Sequence, residues 1–270
     1  MNPLEAALLG LLQGLTEFLP VSSSGHLVLG QALLGIHLPG VAFEVAVHVA
    51  TLLAVLVVYR SRIAELVRGL LSGDRDSAAY VGLLVVASVP ATAVGLAARP
   101  FFEDTFERPS LAAGFLLLSG VFAWSIARTT HRQAAADAVR ERPSLLGAMV
   151  VGLAQALAIL PGISRSGSTV AVGAGTGVGV VRMAEFSFLL SVPAIAGAAL
   201  LQATGGEAAW RAVGAAPLIV GFAVATVAGI LAIHLFVRML RSRNFRWFAY
   251  YCWLVGGAYL LAAAVAPGLR

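Results

Sequence analysis

Residues 159–169 read ILPGISRSGST: one arginine, Arg165, among four hydroxyl residues (Ser164, Ser166, Ser168, Thr169) and two glycines, deep inside an apolar region. A second broken stretch, FLPVSSSGH at 18–26, interrupts the apolar region 3–34 in the same manner. Proline removes a backbone donor and disfavours helix just before it. Non-helical backbone at membrane depth is tolerated only where it is buried in protein or lines a cavity. Both regions, 3–34 and 144–181, are therefore expected to form re-entrant helix–loop–helix hairpins that enter and leave on one side.

The surrounding composition requires a membrane. Of 270 residues, 59% are hydrophobic and only 11% charged, and the mean hydropathy is +0.90. A soluble domain carries about 25% charged residues. A lone cysteine, Cys252, excludes a disulfide framework and a cysteine metal cluster. The net charge of +5 comes from arginine alone, because the chain has no lysine. In a membrane protein that excess reads as topology, so no nucleic acid is expected as a partner. The N-terminus lacks the basic region of a signal peptide and has Glu5 in its place, so the first apolar region is expected to direct insertion.

Six further apolar runs, at about 41–59, 78–98, 111–127, 183–203, 213–237 and 247–266, each approach the roughly 20 residues that cross a bilayer. With both hairpins re-entrant, loops 60–77, 128–143, 176–182 and 236–246 share one side and hold 13 arginines, against 4 on the other. The arginine-rich side is the cytoplasm by the positive-inside rule, and both termini face outward. Each hairpin is followed by three spans. One hairpin plus three crossings inverts the second unit, so the chain reads as a single polytopic domain of two inverted repeats, 1–143 and 144–270. The expected fold class is an all-α integral membrane protein with about six transmembrane helices and two hairpins whose tips meet inside the bilayer.

Those tips carry the polar residues. Gln13 and Glu17 share a helix face. Ser22, Ser23, Ser24 and His26 follow at the first break; Ser164, Arg165, Ser166, Ser168 and Thr169 lie at the second. A buried arginine is costly and marks a functional site. Its anionic partner is either Glu17 or a substrate phosphate, which a guanidinium binds bidentately. Helix N-termini after each break favour an anion too, and Gly25, Gly162 and Gly167 permit close backbone approach. Donors outnumber acids, which suits phosphate better than a cation. A serine beside a histidine and a carboxylate also follows the nucleophile–base–orienter pattern. Elsewhere structural roles are expected: His48 as a core histidine one turn inside Glu44, Glu185 and Arg182 as interfacial groups, and Trp247, Tyr250, Tyr251 and Trp253 as an aromatic belt.

The segments QGLTEFLPVSSSGHL (13–27) and PGISRSGST (161–169) resemble the two signature motifs of the bacterial undecaprenyl-diphosphatase family, the BacA-type undecaprenyl pyrophosphate phosphatases. FEVAVHVATLLAVLVVY (43–59) and EFSFLLSVPA (185–194) are similar to further family stretches, so the resemblance covers most of the chain. It implies a plasma-membrane hydrolase that converts undecaprenyl diphosphate to undecaprenyl phosphate and phosphate, recycling the lipid carrier of cell-wall synthesis. It also implies a divalent cation, Mg²⁺ or Ca²⁺. By the same resemblance Ser23 is the nucleophile, with Ser22 and Ser24 as competitors, His26 the general acid/base and Arg165 the diphosphate clamp. Ser164, Ser166 and Thr169 would bind phosphate or hold the tip. Gln13 stands where many members have Glu, which leaves Glu17 as the main acid and the metal-binding carboxylate. Activation of water by His26 or Glu17 is the alternative mechanism. A polyprenyl-phosphate flippase or anion transporter using the same midplane site is the alternative function. Membrane lipid is an expected partner, and a homo-oligomer is left open.

Overall fold

A computed structural model describes residues 1–36, 42–134, 139–203, 210, 212–242 and 245–265. Residues 204–209, Arg211, Arg243 and the C-terminal residues 266–270, which the charge count used, lie outside the described residues. Among the described residues, ordered structure is helical apart from one isolated bridge, Arg140 to Val178.

The first hairpin is α1 (Pro3–Phe18) and α2 (Ser23–Leu34). Asn2 caps α1 in a reciprocal box with Glu5, and Pro3 opens its first turn. Pro20 stops α1 from continuing; Leu19 is already extended. Ser22 then turns the chain with φ 65° and caps α2, accepting from the amide of Gly25 at 3.3 Å. Gly35 ends α2 in the left-handed conformation. Met1 and Ile36, at the hairpin's two ends, join one apolar cluster with Ala6 and Phe43, so the chain enters and leaves at the same end.

The second hairpin, α8 (Leu145–Leu157) and α9 (Arg165–Gly175), is built alike. Ser164 caps α9 by accepting from the amide of Gly167 at 3.0 Å. Its two ends are pinned together by the Arg140–Val178 bridge. Gln133 clamps the same place, donating to the Val178 carbonyl at 2.7 Å and accepting from the Val180 amide at 2.9 Å. No half-hairpin exceeds 16 residues, too short to span.

The six expected spans are α3 (Ala42–Val58), α5 (Arg75–Ala97), α7 (Pro109–Gln133), α10 (Val180–Ala203), α11 (Ala215–Ser242) and α12 (Arg246–Val265). Five are long and apolar enough to cross alone; α3 reaches that measure together with α4 (Arg60–Ser72), from which it is bent by 74°. Sequence periodicity predicts a loop over 60–77. Residues Ile63, Leu66, Val67 and Leu70 instead form the apolar stripe of α4, a helix suited to lie in a membrane interface. A short α6 (Arg99–Phe106) sits at the opposite end.

Packing is by close approach of small residues, as in membrane bundles generally. On α1, a Cβ at Gly14 would lie 2.6 Å from the Ala228 Cβ of α11; on α8, one at Gly152 would lie 2.5 Å from the Ala87 carbonyl oxygen of α5. Thus α1 packs on α11 as α8 packs on α5, while α3 meets α10 and α7 meets α12. The first helix of each hairpin docks on the second span of the other half.

Candidate active site

The two tips meet. A Cβ added to Gly25 would lie 2.8 Å from the Gly162 Cα, and one added to Gly167 would lie 3.2 Å from the Pro20 Cβ. Gly162 itself has φ 98° and its Cβ position is filled by the Ala112 carbonyl and Phe115 of α7, so no other residue fits there. Ser166 Oγ donates to the Leu19 carbonyl at 3.0 Å and Ser164 Oγ reaches the same oxygen at 3.4 Å. The second tip thereby satisfies a carbonyl that the end of α1 leaves without a helical partner. Ser119 on α7 completes the joint: it accepts from the Ser164 amide and donates to the Gly162 carbonyl, both at 2.7 Å.

Glu17 sits at the centre, 7% exposed. Its Oε1 takes the Arg165 Nη2 at 2.6 Å. Its Oε2 accepts from Ser23 Oγ at 2.5 Å and from Gln13 Nε2 at 2.9 Å. His48 Nε2 stands 3.8 Å from the same oxygen. Arg165 also donates to the Ser187 carbonyl at 3.2 Å, and Thr169 Oγ1 lies 2.6 Å from Ser187 Oγ, which ties the arginine's helix to α10. Ser22 and Ser23 begin α2, where amides lack helical acceptors and the dipole's positive end faces the tip; Ser164 and Arg165 hold the equivalent places on α9. Ser23 and Arg165 are therefore each the first helical residue after a serine cap.

Every residue expected at the site lies in one of the two tips or on α1 beside them, but in different company. Gln13, Glu17, Ser23 and Arg165 form one connected set. Ser24 Oγ pairs with Ser22 Oγ at 3.3 Å, and Ser164 and Ser166 join the tips. Ser168 Oγ turns back to the carbonyls of Ala154 and Arg165, at 3.3 and 3.1 Å. His26 is buried and its ring is bonded away from Ser23: Nδ1 to the Ser22 carbonyl at 2.7 Å, Nε2 to Tyr251 Oη at 2.8 Å. The residue in contact with the Ser23 hydroxyl is Glu17.

Four residues were missed as site residues. His48, read as a core histidine, is 30% exposed and faces Glu17; the signal was its spacing, one turn beyond Glu44. Tyr251, read as belt, reaches His26 from α12. Ser187 lay in a quoted stretch without a role, and Ser119 had no signal at all, because its partners are 43 and 45 residues away.

For a hard cation the available oxygens are Glu17 and Gln13 Oε1, which is buried without a hydrogen-bond partner. Among the described residues, no group of three or more His, Cys, Asp or Glu could hold a metal. One carboxylate and one amide oxygen fit a cation that brings substrate phosphates as its remaining ligands.

Comparison with known proteins places the chain in a family. The profile described as bacitracin resistance protein BacA matches residues 6–258. A protein named undecaprenyl-diphosphatase from Carboxydothermus hydrogenoformans is 37% identical over 267 residues, covering 98% of each chain. One of the same name from Bacteroides fragilis is 40% identical over 261 residues, covering 95% of this chain and 96% of its own. A third, from Syntrophotalea carbinolica, is 39% identical and covers 96% and 98%. With both hairpin tips, their serine caps and the Glu17–Arg165 pair inside the matched span, the chain belongs to the BacA family of multi-pass membrane proteins.

Proposed function

We propose that this protein is a membrane phosphatase that hydrolyses undecaprenyl diphosphate to undecaprenyl phosphate and inorganic phosphate. The observation that carries the reading is Ser23 Oγ held 2.5 Å from Glu17 Oε2, at a helix N-terminus and beside Arg165. A serine whose proton already points at a buried carboxylate is an activated nucleophile, not a transport ligand. In this reading Ser23 Oγ attacks the terminal phosphorus while its proton passes to Glu17. The bond from that phosphorus to the bridging oxygen breaks, and the lipid phosphate leaves. Water then cleaves the phosphoserine and the proton returns to Ser23 Oγ. Arg165 and the free amides of α2 and α9 hold the charge of the transferring group. His26, on the first turn of α2, is the acid–base group for the leaving oxygen and the water, exchanging its proton at Nε2 through the Tyr251 hydroxyl 2.8 Å away. A bound Mg²⁺ or Ca²⁺, held by Glu17 and Gln13 Oε1, would neutralise diphosphate charge.

The polar path out of the site supports an opening on the outer face. It runs from Glu17 past His48 to Glu44, which accepts from Gln31 at 2.6 Å. That is the end opposite the arginine-rich helices, hence the periplasmic side of a plasma membrane. The pairing of α1 with α11 and α8 with α5 supports two inverted repeats, 1–143 and 144–270, with both termini outside. A cavity of about 360 Å³ along the hairpin, lined by Leu8, Leu11, Leu12, Leu15, Gly30 and Leu34, suits a prenyl tail.

The flippase reading draws on the same inverted packing. Against it stands a chain of aromatic rings on the arginine-rich side of the tip: Phe18 to Phe188 at 5.4 Å, Phe188 to Phe236 at 5.3 Å, Phe236 to Phe245 at 5.2 Å. Transport would have to part it; hydrolysis does not. The deciding experiment is phosphate release from undecaprenyl diphosphate by the purified protein in detergent, where no gradient exists. Release that is lost in Ser23→Ala and suppressed by chelator is expected. Folded wild-type protein that releases nothing overturns the reading.

A further inference from the structure

His26 has both ring nitrogens occupied. The Ser22 carbonyl can only accept, so Nδ1 carries a proton in either charge state of the ring. In the neutral ring Nε2 is then an acceptor, and the Tyr251 hydroxyl, 2.8 Å away, is its donor. When the ring gains a proton, Nε2–H donates to the same oxygen. The two rings lie parallel, at 5°, with centroids 5.5 Å apart. Tyr251 comes from α12, 225 residues further along the chain. The next residue anchors the approach: Cys252 Sγ lies 3.7 Å from the Pro20 carbonyl, in the turn that leads into α2. So α12 grips the first tip at two consecutive positions. His26 is 5% exposed whereas Tyr251 is 41% exposed, which makes the phenol the outward end of the pair.

We propose that Tyr251 serves the active site through His26: it holds the direction of the imidazole, whose tautomer the Ser22 carbonyl sets, so that imidazole and phenol act as one acid–base unit. A histidine needs its second nitrogen held to keep one tautomer, as in metal-bound and triad histidines. Here the Ser22 carbonyl, which also accepts from the His26 amide at 3.1 Å, holds one nitrogen and Tyr251 the other. Among the described residues, no ionised side chain contacts the ring. Glu17 is committed to Arg165, Ser23 and Gln13, and the thiol of Cys252 faces Pro20. A proton that His26 exchanges at Nε2 therefore passes to or from Tyr251 Oη.

The inference rests on the phosphatase reading, and its test separates the two. Tyr251→Phe keeps the stacked ring and removes the hydroxyl. In detergent with undecaprenyl diphosphate, it is expected to lower kcat about tenfold, the low end of what losing a functional histidine's outer hydrogen-bond partner costs, with KM and Tm unchanged. In a His26→Ala background the same substitution is expected to change kcat less than twofold, since residues acting as a unit are non-additive. A Tyr251→Phe variant as active as wild type, or one with the same loss in both backgrounds, overturns the proposal. A third readout does not need activity. In protein labelled with ¹⁵N at its five histidines, the Nε2 resonance that is missing in His26→Ala should move in Tyr251→Phe. If it stays in place, Tyr251 does not hold His26, whatever the enzyme does.

Discussion

At the scale of single residues, the central object is a buried ion pair. On the proposed mechanism, Glu17 gives Arg165 in the resting protein what a phosphate oxygen gives it during turnover. Side-chain exposure is 5% for Glu17 and 14% for Arg165. Removing one partner of such a pair leaves an uncompensated charge and costs about 3–5 kcal/mol, whereas replacing both can be neutral. Arg165→Ala should therefore lower both activity and Tm. The double variant Glu17→Gln with Arg165→Ala should recover most of the Tm and none of the activity, read by thermal unfolding in detergent beside phosphate release. If the double variant is no more stable than Arg165→Ala, the pair is not what holds the tips. Sequence reading reached both residues of this pair, because an ionisable group in an apolar run is conspicuous. It did not reach the partner of Ser23. Local spacing put His26 three residues away on the same helix, but the Ser22 carbonyl and Tyr251 turn the imidazole elsewhere. Glu17, six residues back across the proline break, takes the hydroxyl instead.

At the scale of elements, the broken helices work because each break has a cap and a place to dock. Asn2, Ser22, Ser144 and Ser164 each accept from an amide in the first turn of the helix they open. These are local events, whereas the sequence predicts the hairpins from the proline, serine and glycine that interrupt each apolar run. What the sequence cannot display is the docking surface. Gly14 and Gly152 both precede the i+3 polar positions Glu17 and Gln155, and both press against the second span of the opposite half. Inserting bulk into such a contact costs about 1–3 kcal/mol or more. Gly152→Leu is expected to lower Tm, because the Ala87 carbonyl and the Pro90 ring leave it no room. Gly82→Leu, on α5 itself with open space around it, should be neutral. Equal stability of the two variants would show that this crossing does not need close approach. Periodicity missed the short α6 and, with more consequence, α4. Its apolar stripe is short and rich in arginine, so composition alone placed it in solvent as a loop.

Across the whole molecule, orientation follows from where arginine is allowed to go. The bend between α3 and α4 and the bridge at the base of the second hairpin keep the arginine-rich segments at one end. Single cysteines at Gly73 and at Glu107, introduced in a chain whose native Cys252 is buried, give a direct check in intact cells. An impermeant maleimide should label Glu107→Cys from outside and leave Gly73→Cys untouched until the membrane is opened. The reverse pattern would invert the assignment and place the site on the cytoplasmic face.

Residue order carries what short-range physics can write. Apolar length sets the spans, and proline with serine and glycine sets the two breaks. Arginine placement gives the expected sides, and a charge in an apolar run, Arg165, marks the candidate site. Only the tertiary structure decided who touches whom once the tips meet. Glu17 lies opposite Arg165 and Ser23, His48 faces Glu17 from α3, Ser119 ties the joint from α7, and Tyr251 reaches His26 from α12. These partners are brought together by helices that cross far along the chain. Whether a side chain is belt, core or site depends on the crossing, which no local pattern records.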